Sequence, residues 1–290
     1  MELVAGTIIA GRYTLERLLG RGATAVVWLA TDAQTTTRVA LKVLVADLAR
    51  DTDRGRFLRE IRRTAQFAHP RILPVLDAGE DGELVWFAMP WMQGGTLREL
   101  LQRERQLPVA QVLQLGITLA DALAHAHSHG FVHLDVKPEN VLFHDGEAHL
   151  TDFGICRALE RTVDESSTSL SLIRGTPAYM SPEQAAGEAD INGRSDIFSL
   201  GCVLYEALAG VATYIGPTSA AVLAQRFTHP PRDLRVYRPQ VPESLERIVA
   251  RCLRVTAADR YQNALDLERD LSAVDPSSAP RPGPTDERPL

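Results

Sequence analysis

Two short segments carry most of the residues able to do chemistry: HLDVKPENVLF at 133–143 and LTDFG at 150–154, each a polar cluster beside a short apolar strand. Asp135 and Asn140 stand five apart on a loop and Asp152 follows a second strand, so three oxygen-bearing side chains converge. Hard divalent cations bound to phosphates require such a set. Far upstream, Lys42 interrupts the apolar strand RVALKVLV, where an ammonium facing a core is costly unless an anion pairs with it. A phosphate supplies that anion. Glu60 lies in a charged helical stretch, either as a partner for Lys42 or as part of a solvated face of Arg and Glu. Gly20 and Gly22, in LGRGATAVV between two strand patterns, permit a tight hairpin whose amides reach phosphates, although a plain turn uses glycines equally well. No helix follows that hairpin, which disfavours the Rossmann and Walker readings.

These residues need a frame. From Tyr13 to Met89 the segments YTLERLL, AVVWLA, RVALKVLV, ILPVLDAG and LVWFAMP read as strands, broken by one charged helical stretch, TDRGRFLREIRRTAQFA. That pattern is a small antiparallel sheet with one helix. Beyond Gly94 and Gly95 it turns helical: Val109, Val112, Leu113, Gly116, Ala120 and Leu123 share one face, and Gly130 is placed to cap the helix end. The run IFSLGCVLYEAL at 197–208 is apolar nearly all round, as in a helix buried at the centre of a larger, mostly α lobe. Helical patterning ends near Val274, and the tail DPSSAPRPGPTDERPL reads as disordered. The expected architecture is α+β and bilobal, with an N-terminal lobe over 1–92, a C-terminal lobe over 93–275 and a tail over 276–290.

A chain of 290 residues, 45% hydrophobic and 23% charged, is long enough for two lobes sharing a cleft. A net charge of -6 argues against generic nucleic-acid binding, which needs an excess of Lys and Arg on one face. Cys156, Cys202 and Cys252 are too few and too scattered for a disulfide framework or a zinc site, and they fit a reducing compartment. The start, MELVAGTIIAGRY, lacks the pattern of a signal peptide, and no stretch is read as reaching the apolar length of a membrane span. A cytoplasmic protein is expected.

Taken together, the motifs make the sequence resemble the protein kinase family, most closely its bacterial (Hanks-type) serine/threonine branch, from Tyr13 to Leu271. The resemblance implies the bilobal kinase fold, ATP and Mg2+ as cofactors with Mn2+ as an alternative, and protein substrates with Ser or Thr acceptors. It implies that Gly20 and Gly22 cover the ATP phosphates and that Lys42 holds the α and β phosphates with Glu60 as its helix partner. Asp135 would orient the acceptor hydroxyl and take its proton, Lys137 would steady the moving phosphoryl group, and Asn140 and Asp152 would hold magnesium. Met89 to Met92, Trp91 included, resembles the hinge against adenine, and Val27, Ala40 and Leu142 match further nucleotide contacts. RGTPAYMSPEQ at 174–184 resembles the end of an activation segment, in which Thr176 helps select a hydroxyl substrate and Glu183 pairs with Arg260. Asp196 matches the aspartate that opens the buried helix and braces the catalytic loop. The lysine two residues after Asp135 is the serine/threonine form of the loop. Autophosphorylation, with a second copy of the chain as partner, follows from the same likeness.

Departures from the family pattern are specific. Ala25 replaces the third loop glycine, and Pro90 removes a hinge backbone donor. Leu134 replaces the arginine that binds the activation-segment phosphate, so switching is expected to depend less on phosphate at Ser166, Ser167, Thr168, Ser169 or Ser171. Thr64 stands where an apolar residue commonly packs behind the helix glutamate. Two other readings compete. A non-catalytic scaffold of this fold is opposed by the presence of Lys42, Glu60, Asp135, Asn140 and Asp152, and a small-molecule phosphotransferase by the peptide platform GTPAYMSPEQ. His125, His127 and His129 alternate along a helix and so point to different faces, which argues against a shared metal site. His133 reads as a packing histidine of the loop, and Cys156 as a small buried hydrophobe rather than a reactive thiol.

Overall fold

The computed structural model describes residues 3–22, 25–44, 54–64, 68–153 and 177–278. Contacts group the chain into two units, residues 1–97 with 125–176, and residues 98–124 with 177–290. In the first unit β1 (Ile8–Ile9), β2 (Tyr13–Arg21), β3 (Ala25–Asp32) and β4 (Arg38–Leu44) precede α1 (Arg54–Thr64), which leads to β5 (Asp77–Asp81) and β6 (Leu84–Pro90). The six strands make an antiparallel sheet in the order β1-β2-β3-β4-β6-β5.

Strand alternation decides what each residue of β4 faces. Val39, Leu41 and Val43 join Tyr13, Trp28 and Trp86 in one apolar cluster, whereas Ala40 and Leu44 join Phe57, Leu58 and Ile61 of α1 in another. Lys42 sits between Ala40 and Leu44 in the alternation and is therefore on the α1 side. The fourth strand expected from sequence begins later than ILPVLDAG suggested, at Asp77. Pro74 has no N–H for a ladder, and the Leu73 amide donates instead to the Leu150 carbonyl at 2.9 Å. The short strand β1 was not anticipated at all.

Helices α2 (Leu97–Glu104) and α3 (Val109–Ser128) come next in the chain. The end of α3 follows its glycine: Gly130 has φ +76°, its amide donates to His127 at 3.0 Å and the Phe131 amide to Ala126 at 3.0 Å, a Schellman closure. Contrary to expectation, α3 has the length and apolar composition of a membrane span, but 56% of its apolar window is buried inside the protein. Its apolar face serves a core. A hairpin of β7 (Val141–His144) and β8 (Glu147–Leu150) follows, turned by Asp145 and Gly146 with φ +49° and +80°.

The second unit contains α4 (Pro182–Ala186), α5 (Gly193–Ala209), α6 (Ser219–Thr228), α7 (Leu234–Tyr237), α8 (Glu243–Cys252) and α9 (Ala264–Ser272). Every residue of α5 from Ser195 to Ala209 is buried, as its all-round apolar pattern required. α5 and α8 approach closely at Gly201, where an added Cβ would lie 2.6 Å from the Cβ of Cys252. Ser181 caps α4 with a reciprocal bond to Gln184.

Candidate active site

The β7–β8 hairpin is what brings the acidic and amide groups together. Its register pairs Val141 with Leu150, and the Thr151 amide donates to the Asn140 carbonyl at 3.0 Å, so Asn140 and Asp152 emerge side by side from its open end. His133 ties the preceding loop to the same place. It is fully buried, its Nε2 donates to the Thr151 carbonyl at 2.8 Å, its Nδ1 accepts the Asp135 amide at 3.2 Å, and Phe153 packs edge-on with ring centroids 4.5 Å apart. Contacts at both ring nitrogens fix the orientation of the imidazole. The packing role read for His133 from sequence holds, and its partner Thr151 was not foreseen because nothing in the spacing marks a carbonyl acceptor.

Asp135 is held through one carboxylate oxygen. Lys137 Nζ lies 2.6 Å from Oδ2, and Asn140 Nδ2 donates to Oδ2 at 3.0 Å and to the Asp135 carbonyl at 2.8 Å. Both amide protons of Asn140 are thereby used, which orients its Oδ1 away from Asp135 as the remaining acceptor. Lys42 Nζ and Asp152 Oδ2 meet at 2.6 Å, both side chains 14% exposed, while Asp152 Oδ1 is buried with no hydrogen-bond partner. A buried carboxylate oxygen without a donor is expensive, and a divalent cation is the kind of group that satisfies it. The donor set therefore fits a hard metal. Leu134 and Asp152 both adopt left-handed backbone, with φ +66° and +69°, a conformation that costs side chains other than glycine energy and concentrates at functional loops.

One expected pair is replaced by another. Lys42 pairs with Asp152, and Glu60 pairs with Arg63 on its own helix at 3.4 Å. A carboxylate at 2.6 Å already neutralises the ammonium, and Arg63 lies one turn from Glu60 on the same face. The apolar residues expected around a nucleotide do assemble: Ala40 and Met89 belong to the α1-side cluster, against which Val27, Met92 and Leu142 pack. Strand register accounts for it, since Val27 pairs with Lys42 and Ala40 with Met89. Trp91 instead lies beneath the Arg38 guanidinium, 5.9 Å from its ring centroid. Gly20 pairs with Val27, and the Gly22 amide closes the hairpin onto Ala25 at 2.8 Å. A Cβ at Gly20 would touch nothing within 4 Å, so packing does not demand glycine there and the open space is free for an approaching group. Thr64 is buried, donates to the Ile61 carbonyl at 2.7 Å, and lines a small cavity with Leu73, Phe87, Met89 and Asp152.

In the second unit Arg260 and Glu183 form the expected pair, with bonds of 2.7 and 2.8 Å. Asp196 is fully buried in the first turn of α5, where the helix dipole favours a carboxylate. Sequence reasoning passed over Arg98, whose guanidinium meets Glu206 at 2.7 Å and the Tyr179 hydroxyl, which itself donates to Glu206. Those three are too far apart in sequence for any spacing to show them. His125 and His129 share a face one turn apart, ring centroids 4.5 Å, with His69 4.9 Å from His125, which corrects the reading that these rings diverge. Among the described residues no group of three His, Cys, Asp or Glu side chains is placed to hold a metal ion. Gly154, Cys156, Ser166, Ser167, Thr168, Ser169, Ser171 and Thr176, and the tail from 279, lie outside the described residues.

A family model described as protein kinase domain matches residues 13–268. The DNA damage-responsive serine/threonine-protein kinase RqkA of Deinococcus radiodurans is 40% identical over 92% of this chain and 40% of its own length. The serine/threonine-protein kinase PknB of Mycolicibacterium smegmatis is 37% identical over 94% of this chain and 44% of its own. The chain thus spans about two fifths of the curated relatives it matches. Among solved structures, a mutant PknI kinase domain of Mycobacterium tuberculosis superposes with TM-score 0.74 at 31% identity, covering 94% of this chain and 98% of that one. Rad53 in complex with AMP-PNP shares the fold, with TM-score 0.75 at 23% identity over 89% of this chain and 64% of that one.

Proposed function

The chain belongs to the protein kinase family, and from that premise we propose that it transfers the terminal phosphoryl group of ATP, with Mg2+, to serine or threonine hydroxyls of proteins, its own included. The observation that carries the proposal is the division of labour between the two aspartates. Asp135 is fixed through one oxygen by Lys137 and Asn140, which leaves the other oxygen to accept the proton of an incoming hydroxyl. Asp152, two residues past β8, keeps a buried oxygen without a partner, and with Asn140 Oδ1 it would hold the metal. A bound divalent ion supplies neutralisation of the charge on the phosphates. In this reading Lys42 would bind phosphate oxygens, Gly20 and Gly22 would cover them, and Val27, Ala40, Met89, Met92 and Leu142, which pack together, would receive the adenine ring with Trp91 and Glu60 as further contacts.

The lysine two residues after Asp135 supports Ser/Thr acceptors. A second copy of the chain is the partner for autophosphorylation, and a net charge of -6 gives no reason to invoke nucleic acid. The two described cysteines, Cys202 and Cys252, are free and buried, which supports a cytoplasmic setting. The test is transfer of labelled phosphate from ATP and magnesium to the chain and to a basic protein acceptor, beside Asp135→Asn. Label on serine or threonine in the wild type, lost in the variant, is the expected result. Nucleotide binding with no label under Mg2+ or Mn2+ would replace the proposal by a non-catalytic scaffold of the same fold.

A further inference from the structure

Among the described residues of the second unit two arginines are buried, Arg226 at 0% and Arg260 at 1% exposure, and they are treated in opposite ways. Arg260 uses all five of its N–H donors, on Glu183, Arg194, Arg254 and Val255. Arg226, on α6, donates from Nη2 to the Pro177 carbonyl, while its Nε and Nη1 have no hydrogen-bond partner. Among the described residues no carboxylate pairs with it. Its guanidinium lies 5.5 Å from the ring centroid of Tyr214, whose hydroxyl is also buried without a partner. Burial pushes its pKa down, against small opposing effects of Cys202 and Tyr214. A buried cation with unsatisfied donors costs the fold more than one hydrogen bond to a carbonyl returns, and an apolar side chain of similar length would pack there at lower cost.

The single hydrogen bond shows what Arg226 holds. Pro177 opens the one-turn segment Pro177–Tyr179 and has no N–H, so its carbonyl is the one backbone group by which it can be fixed. The other end of the turn is held separately, by Ser199 Oγ donating to the Tyr179 carbonyl at 2.8 Å and by the Tyr179 hydroxyl between Arg98 and Glu206. Pro177 directly follows Thr176, in the stretch that resembles a peptide platform.

We propose that Arg226 is a positioning residue for the protein acceptor, fixing the Pro177 carbonyl and with it the turn that receives the acceptor chain, at a net cost in stability. This rests on the kinase reading above. The experiment compares the full chain with Arg226→Met and Arg226→Lys, by thermal melting and by steady-state kinetics with magnesium-ATP and myelin basic protein. Arg226→Met is expected to melt at a higher temperature than the wild type and to raise KM for the acceptor by about ten-fold with KM for ATP unchanged. Arg226→Lys, which keeps a donor, recovers part of the acceptor KM. A lower melting temperature for Arg226→Met, an unchanged acceptor KM, or an equal rise in both KM values overturns the proposal. An inactive wild type would overturn the kinase reading instead, and the melting comparison would still report on the buried charge.

Discussion

Arg260 and Glu183, in the helical unit, meet through two parallel hydrogen bonds of 2.7 and 2.8 Å with the guanidinium closed to solvent, whereas Lys42 and Asp152 touch at 2.6 Å and leave a buried oxygen unanswered. The first pair is complete. Ser195 donates to the same glutamate, three carbonyls take the remaining arginine donors, and the Phe198 ring lies 4.9 Å from the guanidinium. Burying two charges costs several kcal/mol per ion and is offset only when lone pairs and protons are all matched. A pair finished in that way has nothing left for a ligand, and its work is to hold α4 to the chain after α8. The second pair is unfinished in a way that suits chemistry, with capacity left for phosphate and metal.

The largest expected effect tests the unfinished pair. Asp152→Asn removes the charge on the unpartnered oxygen, and phosphoryl transfer should fall by about a thousand-fold, ~4 kcal/mol of transition-state stabilisation, with a smaller loss of stability because Lys42 loses its anion. Initial rates and a melting curve on one preparation check it, and retention of activity within ten-fold would show that this oxygen holds no metal. Arg260→Ala should do the reverse, lowering stability in urea by about 3–5 kcal/mol, because it leaves Glu183 charged and buried. Replacing both partners, Glu183→Leu with Arg260→Met, should return most of that loss. If Arg260→Ala cost under ~1 kcal/mol, the two pairs would not differ in kind.

A smaller effect separates packing from charge within the helical unit. Gly201→Ala would push a methyl against Cys252 Cβ and should cost about 1–3 kcal/mol in the same urea titration, with KM for ATP unchanged. The smallest is a pH effect. Burial alone would raise the Glu183 pKa, but hydrogen bonds from Arg260 and Ser195 outweigh it and the net shift is downward. A carboxylate with a depressed folded pKa contributes stability that is complete above its unfolded pKa of about 4.3 and is lost as pH falls through the folded value. Melting temperature measured between neutral pH and pH 3 should therefore drop more steeply in the wild type than in Glu183→Gln. Parallel curves would mean that Arg260 does not hold the glutamate ionised.

Much of this arrangement was legible in the chain. RVALKVLV read as a strand carrying Lys42, the all-round apolar run at 197–208 announced a buried helix, and Gly130 marked a helix end, because each is a local consequence of backbone period or glycine freedom. The convergence of Asp135, Asn140 and Asp152 was also readable, since a short hairpin separates them and a hairpin returns its ends to one place.

Other features were decided only by the tertiary structure. Which anion Lys42 takes depends on whether Glu60 or Asp152 lies within reach of its ammonium, and no spacing encodes that distance. The strand expected from Ile72 fails at Pro74 because the neighbouring hairpin captures the Leu73 amide. The family likeness paired Arg260 with Glu183 and nothing in one dimension singled out Arg226, yet both are buried, one with every donor satisfied and one with most of its donors idle. Periodicity, turn chemistry and motif spacing are properties of neighbours along the chain, and these set the strands, the helices and the roster of reactive groups. Partner choice and burial depend on groups brought together from distant positions, where a few tenths of an ångström and the loss of solvent determine which charge is satisfied and which is left free to act.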